Sequence, residues 1–179
     1  ITTGKPVVSE VLTNSLKSKN ELISILASLE NKSAHPLALA IVEHAKKSKA
    51  KLQTIQNFKD IPGKGISGEY KDKKYFAGNL TILKESKVVF NKQNIKEFTS
   101  KGMTPVFLFS DKTLLGTVLI TDTLKPESKQ AIAGLHRMNI QTIMLTGDDQ
   151  DTASFIAKAA GIDHVYAHVL PSDKANNIS

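Results

Sequence analysis

Hydrophobic and polar positions alternate along the chain with two different grammars. In the first, Ser18-Lys19-Asn20-Glu21 has the spacing of a capping box, and Leu22, Ile25, Leu26 and Leu29 follow with helical period. This predicts a helix from about 19 to 31. A second helix is expected from Ser33 to Pro36 onward, because proline suits a first turn where its missing N–H has no partner, and Leu37, Ala40, Ile41 and His44 give it an inward face. The two form a hairpin. Thr54 to Ile61, Gly65 to Tyr70 and Lys74 to Ala77 then read as strands, with Lys71-Asp72-Lys73 a polar turn between the last two. Leu80 to Glu85 and Lys92 to Ser100 read as short helices. Pro105 to Phe109 and Leu114 to Ile120 read as a strand pair around Ser110-Asp111-Lys112. The pattern predicts one antiparallel α+β unit.

From Asp122 the second grammar begins, with helix and strand in alternation. A helix is entered at Pro126, a strand covers Ile140 to Leu145, a helix lies around Asp151 to Ala160, a strand sits at Val165, and a further helix is entered at Pro171. This is half of a parallel, doubly wound sheet, and Thr121 to Thr123 is the expected hinge. The second domain is expected to be incomplete, because the first strand of such a sheet carries the key residue at its carboxyl end.

With 179 residues, 40% of them hydrophobic, each part can bury a core of its own. No cysteine is present, so disulfides and thiolate metal sites are excluded, which is consistent with a reducing compartment. The longest apolar run, Leu37 to Val42, falls far short of the roughly 18 residues that cross a bilayer, so this stretch is expected to be soluble. A net charge of +7 favours an anionic partner. The lysines are spread through Lys46, Lys47, Lys49, Lys51, Lys71, Lys73 and Lys74 as on a solvated surface, with no arginine cluster or aromatic stripe that would indicate nucleic acid.

Several short segments could carry chemistry. Ser33-Ala34-His35-Pro36-Leu37 opens a helix with Glu30 five residues before the histidine, and alone it reads equally as a cap or a surface histidine. Gly63-Lys64-Gly65-Ile66-Ser67-Gly68 lets backbone approach a ligand or simply turns a strand; a strand follows it, so it is not a dinucleotide fingerprint. Gly78-Asn79 ends a strand where asparagine is an ordinary helix cap. Thr146-Gly147-Asp148 lies at a strand's carboxyl end before a helix N-terminus, where open α/β sheets bind anions. Asp122-Thr123-Leu124-Lys125-Pro126 and Leu170-Pro171-Ser172-Asp173-Lys174 place a carboxylate and lysines at comparable strand ends. A threonine hydroxyl and a lysine ammonium suit a transferring phosphoryl group.

Taken in this order, the segments resemble the large cytoplasmic loop of heavy-metal-transporting P-type ATPases over nearly the whole chain. The resemblance implies an α+β antiparallel-sheet nucleotide-binding domain (13–120). Joined to it would be a partial α/β phosphorylation domain, haloacid-dehalogenase-like with a parallel sheet (121–179), whose start or linker is 1–12. In that family an Asp-Lys-Thr-Gly-Thr phosphorylation motif precedes a stretch like Ile1-Thr2-Thr3-Gly4-Lys5-Pro6, and the serine-x-histidine-proline motif matched by Ser33 to Pro36 marks the metal pumps. By resemblance, Glu30, His35, Gly63, Gly65 and Asn79 contact or frame ATP, with Ile66 and Gly78 beside them. Thr146, Gly147, Asp148 and Lys174 form the catalytic phosphate site, and Asp122 and Lys125 match the family's Asp-x-x-Lys. Asp149 stands where many relatives have asparagine, and the later Gly-Asp-Gly-x-Asn-Asp motif is not in the chain.

The implied function is delivery of ATP, with Mg2+ in the intact pump, to an aspartate outside this chain, without turnover by this part alone. The implied partners are ATP or ADP and the pump's own membrane and actuator domains, on the cytoplasmic side. The part itself would be a monomer holding no metal, and removing His35 should weaken ATP while hardly changing stability. Ile61-Pro62-Gly63-Lys64-Gly65 and Val169 to Ala175 look closest to copper pumps, with zinc and cadmium pumps as the alternative. A free-standing haloacid-dehalogenase-type phosphatase would need its own nucleophile and magnesium carboxylates, and a purely regulatory binding module is the remaining reading.

Overall fold

The computed structural model describes residues 1–16, 18–148 and 150–169. Two compact units emerge, one formed by Lys5–Lys92 with Pro105–Thr121, the other by Ile1–Gly4, Gln93–Thr104 and the chain from Asp122 onward. The elements in chain order are β1 (Val7–Thr13), α1 (Lys19–Glu30), α2 (Pro36–Lys47), β2 (Gln56–Ile61), β3 (Gly65–Tyr70), β4 (Lys73–Gly78), α3 (Leu80–Glu85), α4 (Lys92–Ser100), β5 (Thr104–Ser110), β6 (Thr113–Thr121), α5 (Pro126–Arg137), β7 (Ile143–Leu145), α6 (Gln150–Ala160) and β8 (His164–Tyr166).

The first unit is a six-stranded antiparallel sheet in the order β1-β6-β5-β4-β3-β2, with the α1–α2 hairpin on it. Ser18 caps α1 by accepting Glu21 N–H on its hydroxyl at 3.1 Å, as the capping spacing predicts. Leu22, Leu26 and Leu29 are wholly buried, each contributing about 1.5–3 kcal/mol by leaving water. They share one core with Ile41, Ala45, Ile66, Ala77, Leu108, Val118 and Ile120. The inward face of α2 is broader than expected: Ala40 and Ile41 are buried as the pattern predicts and Leu37 packs against the core, but Ala38, Val42 and Ala45 are buried as well, and His44 is only half-buried. The small alanines let α2 approach closely, which its larger residues at the margin could not.

Strand β1 was not anticipated, since 1–12 read as linker. Of its residues only Val11 is buried, so the alternation that announces a strand is weak. Its identity comes from its partner, with Val11 opposite Val118 and a register shift between Val8 and Glu10. The β3–β4 turn at Lys71 and Asp72 and the β5–β6 turn at Asp111 all adopt positive φ, the left-handed backbone that closes tight hairpins.

In the second unit β7 and β8 pair in parallel, Met144 opposite Val165, and α6 between them in sequence buries Ala153, Ala157 and Ala160 with Met144 and Ile162. The expected strand from Ile140 begins only at Ile143, because Thr142 N–H donates to Asp163 Oδ2 at 2.8 Å instead of to a strand. Asp163 also accepts from Thr142 Oγ1 at 2.9 Å and meets His136 Nε2 at 3.0 Å. The Thr142 backbone and hydroxyl bonds, with a smaller contribution from His136, hold its carboxyl down at about 2. Residues 93–104 group with this unit: Thr99 Oγ1 donates to Asp151 Oδ2 at 3.2 Å, and Gly102, at φ +71°, leaves room for the Phe155 ring where a Cβ would sit 2.3 Å from Phe155 Cδ1. The helix expected at Pro171 lies outside the described residues.

Candidate functional site

The turn between α1 and α2 holds the first two candidates. Glu30 is the last residue of α1 and only 9% exposed. Among the described residues its carboxyl has no hydrogen bond or ion pair, and burial pushes it up to about 7. Ser33 N–H donates to Glu30 O at 2.8 Å, and His35 N–H donates to Ser33 Oγ at 3.2 Å, so a single serine links the end of α1 to the start of α2. His35 is exposed and is the N-cap of α2, its Nδ1 accepting Leu37 N–H at 3.2 Å. With Pro36 at the first helical position, Leu37 offers the first free N–H of the helix, and the imidazole takes the place usually filled by serine or aspartate. The cap and the ligand-binding reading are therefore compatible in one residue, because Nε2 stays outside the cap.

A second group gathers around the β2–β3 turn. Lys64 N–H donates to Ile61 O at 3.0 Å across Pro62 and Gly63, and Gly63 has φ +72°, the arrangement of a type II turn. Gly65 lies opposite Gly78 in the β3–β4 register. A Cβ at Gly65 would stand 2.1 Å from Ala77 O, and one at Gly78 would stand 2.2 Å from Lys64 O, so both glycines are required by backbone contact within the sheet. Asn79 fastens the same place. Its Oδ1 accepts from Thr81 N–H at 3.0 Å and Ile82 N–H at 3.3 Å, and its Nδ2 donates to Gly63 O at 2.9 Å. Lys64 Nζ pairs with both carboxylate oxygens of Glu85, at 2.9 and 2.8 Å. The glycine, asparagine and lysine side of the site is thus a knot, and Ile66, 6% exposed, sits in the core beside it with Leu29, the neighbour of Glu30.

In the other unit, Thr146-Gly147-Asp148 follows β7 and precedes α6, at the strand end where the pattern placed it. Its polar groups bond to one another: Thr146 Oγ1 donates to Asp148 Oδ2 at 2.7 Å and accepts Asp148 N–H at 3.2 Å. The ends are tied to the chain after β8, through Thr146 N–H to Tyr166 O at 3.0 Å and His168 N–H to Asp148 O at 3.0 Å. Asp148 is exposed. Among the described residues no three His, Cys, Asp or Glu side chains converge on a metal position. Asp122 accepts from Thr3 Oγ1 at 2.9 Å, and Lys125 N–H donates to Ile1 O at 3.0 Å, so the first residues of the chain lie against the Asp-x-x-Lys segment. Lys174 and Asp149 lie outside the described residues.

The pattern of haloacid dehalogenase-like hydrolases matches residues 1–177. The chain belongs to that family. It is 39% identical to a copper-exporting P-type ATPase of Staphylococcus haemolyticus over 181 residues, all of this chain and 22% of that protein. Among solved structures, the catalytic domain of the CPx-ATPase CopB-B, described for conformational changes upon nucleotide binding, superposes with a TM-score of 0.71 at 25% identity, over 99% of this chain and 60% of that one. A zinc-transporting PIB-type ATPase superposes with a TM-score of 0.70 at 28% identity, over 99% of this chain and 29% of that one. The chain itself joins an antiparallel α+β unit to a smaller unit with a parallel strand pair. The chain spans less than a quarter of the relative's length, and among its described residues no helix is long and apolar enough to cross a membrane.

Ser33 is the residue whose part in the site the sequence left without a role. Its signal was present: a serine two residues before a helix cap can accept the intervening backbone N–H.

Proposed function

We propose that this chain is the ATP-binding part, with a portion of the phosphorylation domain, of a heavy-metal P-type ATPase that moves copper, and that it delivers ATP to an aspartate outside this chain. The observation that carries the reading is the pairing, on one short turn, of Glu30, a largely buried residue whose carboxyl reaches the surface without a protein partner, with a histidine ring held at the surface at His35. A purine base offers what both lack: a face for the ring and an amino donor for the carboxyl. Gly63, Gly65, Gly78 and Asn79 frame the base from the β2–β3 turn, and Ile66 supports that frame from the core. Thr146, Gly147 and Asp148, with Lys174, serve the phosphoryl group. Magnesium, when bound in the intact pump, would neutralise phosphate charge. The chain's net charge of +7 draws the triphosphate in.

Copper is the cargo suggested by the 39% identity over the whole chain to a copper-exporting relative. The chain has no cysteine to hold the cargo, so the ion is selected elsewhere in the pump, on whose cytoplasmic side this part works.

Calorimetric titration of ATP into wild type, His35→Ala and His44→Ala tests the reading. Base–aromatic stacking is worth about 1–3 kcal/mol, so His35→Ala should bind roughly five- to a hundredfold more weakly while His44→Ala matches wild type. Equal affinities for all three would refute the assignment of the nucleotide site.

A further inference from the structure

A histidine that caps a helix through its ring has its tautomer chosen by the backbone. Leu37 N–H donates to His35 Nδ1, so Nδ1 carries a lone pair and the neutral ring keeps its proton on Nε2. That cap holds only if the His35 main chain stays extended, at φ −66° and ψ 139°, so that the ring folds back over the first turn of α2. Two restraints keep it there. Pro36 fixes the chain after the histidine, and Ser33 fixes the chain before it, accepting His35 N–H on its hydroxyl oxygen while its own N–H is held by Glu30 O.

We propose that Ser33 is a positioning residue that locks His35 in the Nε2–H tautomer, so that the site presents a fixed ring donor to an acceptor on the purine nucleotide. This rests on the reading of His35 as a nucleotide contact. Without the Ser33 oxygen, the His35 amide loses its acceptor, the extended backbone loosens, and the ring samples both tautomers and several rotamers. A nucleotide then meets a ring that must be ordered on binding, and the loss is entropic as well as directional.

Long-range 15N–1H NMR of the imidazole rings at pH 8 reads the tautomer in protein free of nucleotide, with His35→Ala used to assign the resonance. In wild type, His35 should show protonated Nε2 and unprotonated Nδ1. Ser33→Ala should shift it toward a mixture and weaken ATP about fivefold, the size of one lost hydrogen bond. Ser33→Thr keeps the oxygen and should restore both. The His136 ring, held by Asp163 in the other unit, reports that the folded protein is otherwise unchanged. An Nδ1–H tautomer in wild type, or a Ser33→Ala protein with unaltered tautomer and unaltered ATP affinity, would overturn the proposal. A tautomer that depends on Ser33 in a wild-type protein that binds no ATP would instead overturn the nucleotide reading and leave the positioning role of Ser33 standing.

Discussion

The α1–α2 turn and the Thr146–Asp148 loop treat their polar groups in opposite ways. At the turn, the largely buried Glu30 brings its carboxyl to the surface without a protein partner, and His35 spends only one ring nitrogen on the helix, so two polar functions remain open to a ligand. In the loop, the Thr146 hydroxyl and the Asp148 carboxylate satisfy each other at 2.7 Å. The first arrangement stores a cost in the free protein that a ligand can relieve. The second is at rest, and the Thr146 hydroxyl must leave Asp148 before it can donate to a phosphoryl oxygen.

The largest expected effect tests whether the turn stores that cost. Glu30 titrates at about 7 in the folded protein against 4.5 ordinarily, so between those values the folded state holds the proton that the unfolded state releases. The contribution is therefore fully present below pH 4.5 and is lost as pH rises through 7, on the order of 3 kcal/mol over the window. Urea unfolding from pH 5 to 8 should show stability falling in wild type and a flatter profile in Glu30→Gln, which should be the more stable of the two at pH 8. Nucleotide sharpens the test: an adenine amino group donating to Glu30 would favour the carboxylate, so ATP binding near pH 6.5 should release protons in wild type beyond those released in Glu30→Gln. Calorimetry in buffers of different ionisation enthalpy measures this, and identical release would mean that the carboxyl is not part of the site.

A comparable effect separates the structural glycines from the exposed one. Gly78→Ala places a Cβ 2.2 Å from Lys64 O, a contact with backbone that cannot turn aside, and should cost about 3 kcal/mol or more. Gly63→Ala meets nothing within 4 Å and pays only for its φ of +72°, about 1–2 kcal/mol. Denaturant midpoints at one pH compare them. If Gly63→Ala nonetheless weakened ATP more than the intact protein's stability explains, the turn would be a ligand contact in its own right.

His35→Ala comes next. The sequence suggested that this change would hardly affect stability, because a first-turn histidine is outside the core. The structure corrects that expectation, since the ring is the cap of α2 and losing a cap costs about 0.5–2 kcal/mol. His35→Asn keeps a capping oxygen without a ring to stack. It should recover most of the thermal midpoint and little of the ATP affinity, and recovery of both would reduce His35 to a cap.

Much of this was legible in the chain. The capping box before Leu22, the proline-led helix at Pro36 and the strand pairs around Asp72 and Asp111 are local, and local hydrogen bonds decide them. What was not legible depends on distant partners. Strand β1 exists because Val11 meets Val118, and the strand at Ile143 is short because Asp163 captures Thr142. The glycine motif shows the same limit in reverse. Gly65 could be read as letting backbone approach a ligand or as turning a strand, and the structure adds that it faces Gly78 across β3 and β4, a pairing that no spacing within Gly63 to Gly68 contains.

The smallest expected effect concerns the loop at rest. If base recognition at the α1–α2 turn provides most of the binding, Thr146→Ala should change ATP affinity by less than about twofold, under 0.5 kcal/mol, and ATP should exceed ADP by less than about tenfold, or 1.4 kcal/mol. The internal bond of the loop gives the reason: the Thr146 hydroxyl donates to Asp148 and accepts its N–H, so removing it frees Asp148 and deletes no contact that the resting protein makes to nucleotide. Titration of ATP and ADP into wild type and Thr146→Ala, each with and without Mg2+, measures both ratios. A Thr146→Ala protein that loses its preference for ATP over ADP would mean that the loop already grips the γ-phosphate in this chain. The contrast between a waiting turn and a resting loop would then fail.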